Sequence, residues 1–307
     1  MGHPRRCLQI HILRRRMRHI NSYKPAAQAV PHGNYGPDPY DINWAFPLHE
    51  DTLKSERVIL TPFRPSIHVD ELWKQIEAHP ALQHWLPFEI ATKDGLLATI
   101  ETRLRRDPGA ILFAIMAHHA NPASGSTGTP FPDAHAEQVR QPLKAPATSA
   151  AKTTMAGVIA LIKASPANLS AEIGWVIVFP AFQRRHVASN AVALLLRYCL
   201  ELPSDSDSES GSADAAVGLG LRRVQWFAHA ENEASRRTAL HMGFREEGTL
   251  RWERVIAPGK VGNGIPVRDG DPLGGARPSR HSVVLSLCVD DWEEGGGRER
   301  VGQWIAP

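Results

Sequence analysis

Cysteine is scarce in these 307 residues: Cys7, Cys199 and Cys288 fall in no paired spacing. That excludes a disulfide framework and a cysteine-based zinc site, so no metal is expected and a reducing compartment fits. No apolar run approaches the roughly 20 residues needed to span a bilayer, and a membrane partner is not expected. Neither G-x-G-x-x-G nor G-x-x-x-x-G-K-[ST] occurs, so Rossmann and P-loop nucleotide sites lack their glycines. Internal repeats are also missing. Positive charge is short where it would count. The formal net charge is +3, yet residues 1–24 carry seven Arg or Lys and no acid, leaving 28 bases against 32 acids in the remainder. A mildly acidic body has no basic face for counterion release, so nucleic acid is not an expected partner.

What is present is a core: 42% of the residues are apolar, enough for one large α/β domain. Residues 1–50 are rich in Pro, His and Arg without periodicity and read as a disordered basic tail. Their Arg-rich, acid-free start has the make-up of a mitochondrial transit peptide, but a disordered extension or an overlong start with the true first residue at Met17 is the preferred reading. The expected location is cytoplasmic, with mitochondrial as the alternative. Folding is expected over residues 51–292. "ERVILTPF" alternates like a strand, and "SIHVDELWKQIEAH" places Val69, Leu72, Trp73 and Ile76 at helical spacing. "TKDGLLATIETRLRRD" reads as a second helix after the loop "LQHWLPF". The strands "AILFAIMAH", "MAGVIALIKA" and "AEIGWVIVF" follow, then the helix "SNAVALLLRYCLEL", the strand "LRRVQWFAH" and the helix "ENEASRRTALHM". "FREEGTLRWERVI" and "HSVVLSLCV" close the order as strands. Segments 120–152 and 203–217 read as disordered insertions, and 258–280 as a loop longer than a hairpin needs, fit to serve as a lid. Residues 293–307 read as a tail with at most a short helix.

The join between "AEIGWVIVFP" and the next helix holds Gln183, Arg184, Arg185 and His186, a run of donors. A helix N-terminus presents free backbone N–H groups and the positive end of the dipole. With two arginines beside it, the join suits a pyrophosphate; a solvated helix cap is the plainer reading. The two stand about even on the residues alone.

From "ERVILTPF" to "HSVVLSLCVDDW" the chain resembles the GNAT superfamily of acetyl-CoA-dependent N-acetyltransferases, in the branch similar to ribosomal-protein-alanine N-acetyltransferases. The resemblance rests on "AEIGWVIVFPAFQRRHVASNAVALLLRYCLE" and "LGLRRVQWFAHAENEASRRTALHMGFREEGTLR", with Asn232, Ser235, Gly243 and Phe244 on a strand and helix. It implies a three-layer α/β fold: a central mixed, splayed, mostly antiparallel seven-stranded sheet flanked by about four helices. It also implies pantetheine between strands 172–179 and 221–229, and a pyrophosphate on Gln183, Arg184, Arg185, His186, Val187, Ala188 and Ser189. The family's loop has glycine where this chain has His186, which a side chain permits only at negative φ.

The same resemblance implies direct attack of a primary amine on acetyl-CoA, with no acyl-enzyme. Cys199 and Cys288 sit in apolar patterns and read as core. Backbone N–H groups of the strand at Val176, Ile177 and Val178 would polarise the thioester carbonyl. Glu172 is the candidate base, against an edge residue in an ion pair. Asn232 would cap the next helix and, by resemblance, hold pantetheine; Ser235 would bond to or protonate the leaving sulfur. Trp85 is a candidate acceptor-pocket residue against a core role, and His229 a further candidate base against a surface one. The acceptor is expected to be a small-molecule amine or a protein N-terminus, and the protein a monomer or homodimer. A CoA-binding sensor or interaction module without turnover is the rival reading.

Overall fold

A computed structural model describes residues 35–118, 153–203 and 217–306. The expected insertions lie outside them almost entirely, as does the first part of the tail. One seven-stranded sheet is formed by β1 (Val58–Pro62), β2 (Ile111–His118), β3 (Thr153–Ser165), β4 (Ser170–Val178), β5 (Arg223–His229), β6 (Arg245–Val255) and β7 (Ser279–Cys288). The strand order is β1-β2-β3-β4-β5-β7-β6. Every neighbouring pair is antiparallel except β4 and β5. Helices α1 (Pro65–Ala78) and α2 (Lys93–Ile100) cover one face; α3 (Val187–Leu200) and α4 (Glu233–His241) cover the other, with α5 (Val289–Glu293) and α6 (Gly297–Ile305) beyond them.

Side-chain alternation explains the two cores. Along β5, Val224, Trp226 and Ala228 enter the core under α3, together with Ile173 of β4 and Leu285 of β7. On the opposite face, Val69, Leu72 and Ile76 of α1 pack with Leu96 and Ile100 of α2 against Leu112, Val158 and Ile177. Helix α1 begins at Pro65, whose fixed φ suits a first helical position. Thr92 caps α2 by accepting from the Gly95 amide at 3.0 Å.

Two expectations about the ends need correction. Residues 35–50 were assigned to the tail, but Ile42, Trp44, Phe46 and Leu48 pack on the α3 core. Trp44 Nε1 donates to the Tyr198 hydroxyl at 3.1 Å, and that hydroxyl donates to the Pro47 carbonyl at 2.6 Å. Apolar residues without periodicity can still be buried when the chain runs extended over a helix. The C-terminal segment is likewise packed: Val301 is buried and Trp304 leans on the same core. Six helices are present, the two additional ones being α5 and α6.

Asn190 ties these ends together. Fully buried in α3, it accepts from the Ser55 hydroxyl at 2.8 Å and donates through Nδ2 to the Trp304 carbonyl at 2.7 Å. Removing the carboxamide takes away the donor to the Trp304 carbonyl and one acceptor of the Ser55 hydroxyl, which keeps the Val58 carbonyl at 3.1 Å. Asn190→Ala is therefore expected to lower the unfolding free energy by about 2–4 kcal/mol in urea denaturation; a loss below about 0.5 kcal/mol would show the two bonds to be idle.

Candidate active site

Strands β4 and β5 hold together only over Ser170–Ile173 and Arg223–Trp226. Past that point β4 bulges. Its register with β3 jumps between Val158 and Ala160, and Trp175 takes a left-handed φ of 54°. A bulge bends a strand and raises its twist, and here it carries β4 away from β5. Gly157 keeps β4 on β3 across the bend, because a Cβ there would lie 2.1 Å from the Ile177 carbonyl oxygen. Phe179 donates its amide to Ala156 on the β3 side. By the two-residue alternation of an extended strand, the amide of Val178 faces the gap, whereas that of Ile177 faces β3.

The chain leaves β4 through a single turn, Pro180–Phe182, and Gln183 closes it by donating from Nε2 to the Val178 carbonyl at 2.9 Å. The left-handed residue of this loop is Arg184, with φ 56°, and not His186, whose φ of −61° is open to any side chain. The imidazole does not need the glycine it replaces. Burial, then the charges of Arg57 and Arg185, push His186 below the ordinary histidine range. Helix α3 has no side-chain cap at its start. The amides of Val187, Ala188 and Ser189, which have no earlier carbonyl within the helix, remain donors for a ligand beside exposed Arg184 and Arg185.

At the mouth of the gap, Asn232 caps α4 by accepting from the Ser235 amide at 3.1 Å. Its Nδ2 has no partner among the described residues. Ser235 Oγ accepts the Trp226 indole proton at 2.9 Å. The hydroxyl proton of Ser235 finds no acceptor among the described residues, so it is available to a third group.

The other face is roofed. Ala257 donates its amide to the Pro87 carbonyl at 2.9 Å, and Lys260 Nζ reaches the Gln83 carbonyl at 2.8 Å. The long loop after β6 thus meets the segment between α1 and α2, in the position expected of a lid. Beneath lie Trp85 and His229, their ring centroids 4.9 Å apart, and Phe88 and Trp175 at 5.2 Å. His229 is buried rather than on the surface. Its Nδ1 accepts from the Glu231 amide at 3.1 Å, which places the proton on Nε2, 3.0 Å from the Val261 carbonyl. With both nitrogens committed, the ring supports the roof instead of acting as a base. Glu172 is buried, and Lys163 Nζ lies 2.7 Å from its Oε2. Burial raises the carboxyl above its usual range, with Lys163 opposing. That ammonium also sits 4.3 Å over the Phe227 ring. Lys163 escaped sequence reading because a lysine ending an apolar strand looks like an ordinary edge residue. Cys199 is fully buried and burial pushes its thiol up, so it is inert core.

A family model described as the acetyltransferase (GNAT) domain matches residues 57–245. The chain belongs to the GNAT acetyltransferase family. Solved structures share its fold. A GCN5-related N-acetyltransferase from Brucella melitensis is 24% identical with a TM-score of 0.54, over 83% of this chain and 85% of that one. A probable acetyltransferase of the GNAT family from Chromobacterium violaceum is 19% identical with a TM-score of 0.54, over 90% of this chain and 99% of that one. A comparison with curated protein sequences gave no match. Within the GNAT domain the structure brings Glu172, Trp85 and His229 to one face of the sheet. Asn232, Ser235 and the residues from Gln183 to Ser189 lie at the mouth of the gap and on the other side.

The loop geometry is open to test by backbone substitution. Arg184→Gly is expected to raise the unfolding free energy by about 0.5 kcal/mol by relieving a left-handed residue, and His186→Gly to lower it by about 0.5–1 kcal/mol at a helical position. Chemical denaturation of both variants decides the matter, since the reverse order would put the left-handed turn at residue 186.

Proposed function

We propose that this GNAT acetyltransferase takes acetyl-CoA as its co-substrate and transfers the acetyl group to a primary amine, by direct attack in a ternary complex. The observation that carries the reading is the parting of β4 from β5 after Ile173 and Trp226, which opens the sheet between a donor-rich side and a roofed side. Pantetheine fits the gap, since unpaired strand amides can bond to its amide groups. Its pyrophosphate falls to the amides of Val187, Ala188 and Ser189, with Arg184 and Arg185 beside them.

The chemistry then follows from the residues around the gap. The amine nitrogen bonds to the thioester carbon and the C–S bond breaks, the carbonyl oxygen gathering charge against the amide of Val178. The proton leaving nitrogen passes to Glu172, directly or through water. A carboxyl whose proton affinity is raised by burial is a stronger base than an exposed one. The departing sulfur leaves as a thiolate that accepts a hydrogen bond from the Ser235 hydroxyl, which has no competing acceptor among the described residues, and takes its proton from solvent. The rival reading, a CoA-binding module without turnover, rests on His186 and on the two insertions, and the insertions lie almost entirely outside the described residues. At negative φ that histidine imposes no backbone obstacle.

Calorimetric titration with acetyl-CoA is expected to show micromolar binding that weakens in Asn232→Ala; no binding at all would return the protein to the interaction-module class. Turnover is read as free CoA thiol. In Glu172→Gln, kcat/KM for a responsive amine is expected to fall about 100-fold, with loss of the acid limb that the carboxylate sets as it protonates. A change below about threefold with the limb intact would remove Glu172 from the mechanism.

A further inference from the structure

The roofed side contains a buried arginine that the acetyl transfer leaves unused. Residues directly opposite in a strand pair project to the same face. Ser282 of β7 stands opposite His229 of β5, so Ser282 and Arg280, two residues apart, share the face of His229 and Phe227. Glu172 joins that face through its pairing with Gln225. Arg280 is 7% exposed. Its Nε donates to the Ser282 hydroxyl at 3.1 Å, and this hydroxyl donates in turn to Glu253 Oε2 at 3.0 Å. The side chain is thereby anchored at Nε, while Nη1 and Nη2 have no partner among the described residues.

With 7% of Arg280 exposed, the two Nη groups meet the solvent that remains at this site, where an entering anion can take the place of water. The guanidinium feels the charge of Glu172, and His229 in turn feels the guanidinium, so it stands within electrostatic reach of the proposed base. The surrounding charge is unbalanced. Of the ion pairs here, Lys163 holds Glu172 at 2.7 Å and Arg254 holds Glu253 at 3.2 Å, while Arg280 meets a carboxylate only through Nε at 3.8 Å, so its charge is the one left over. One excess charge and a planar two-pronged donor match a monoanion of carboxylate shape.

We propose that the acceptor is a small amine that also bears a carboxylate, of the amino-acid class, with its carboxylate on the Nη groups of Arg280 and its amine turned toward Glu172. This rests on the acetyltransferase reading for the role of the site, though not for the binding itself.

The test is calorimetric binding of a panel of free amino acids and their C-terminal amides to the full-length protein, with and without CoA, beside a polyamine. At least one free acid is expected to bind about 10- to 100-fold more tightly than its amide, and Arg280→Gln to abolish that preference. The acid-to-amide comparison on the unaltered protein stands even where the variant folds poorly. Equal binding of acid and amide, preference for the polyamine, no binding by any panel member, or a preference kept in Arg280→Gln would each overturn the proposal. Failure of acetyl-CoA to bind while the acid preference persists would instead sink the transferase reading and leave the carboxylate site standing.

Discussion

Everything functional in this protein depends on four residue pairs between β4 and β5, and on their ending where they do. Parallel strands normally stay paired along their length, yet here the ladder stops after Ile173 and Trp226 because the next residues of β4 bulge toward β3. The left-handed Trp175 and the close approach at Gly157 hold that bulge in place. Unpaired strand edges are a liability in most sheets. In this one the open edge is internal, flanked by α3 and α4 on one side and the roof on the other, so it is kept for a ligand.

The two sides of the split differ in how their polar groups are supplied. On the α3 side the donors are mainly backbone amides at a helix start and a strand edge, which no side-chain substitution removes. On the roofed side they are side chains, Glu172 with Lys163 and Arg280 with Ser282 and Glu253, each held by a partner within the sheet. Backbone donors serve a ligand whatever side chains surround them, whereas buried side-chain charges can select among ligands by charge and shape.

The same division governs what the chain reveals before folding. Strand and helix order was legible from alternation and helical spacing, and the join after Phe179 stood out because its donors interrupt apolar segments. Asn232 and Ser235 were legible as a cap and its partner one turn on. Arg280 gave no signal: it begins a strand after a Gly/Pro-rich loop, where an arginine is ordinarily solvated. The commitment of both His229 nitrogens was equally invisible, since Val261 lies 32 residues away. Residues 35–50 misled in the other direction, because burial against α3 needs only a few large side chains and no period.

By itself the sequence determined the order of elements and the faces they bury, which follow from local spacing, and it carried the stretches whose resemblance pointed to the family. Only the tertiary structure decided where β4 leaves β5, that Arg184 rather than His186 takes the left-handed turn, and which charges meet beneath the roof. Those outcomes depend on contacts between distant strands, and a one-residue change in register would send each of the strand side chains to the opposite face.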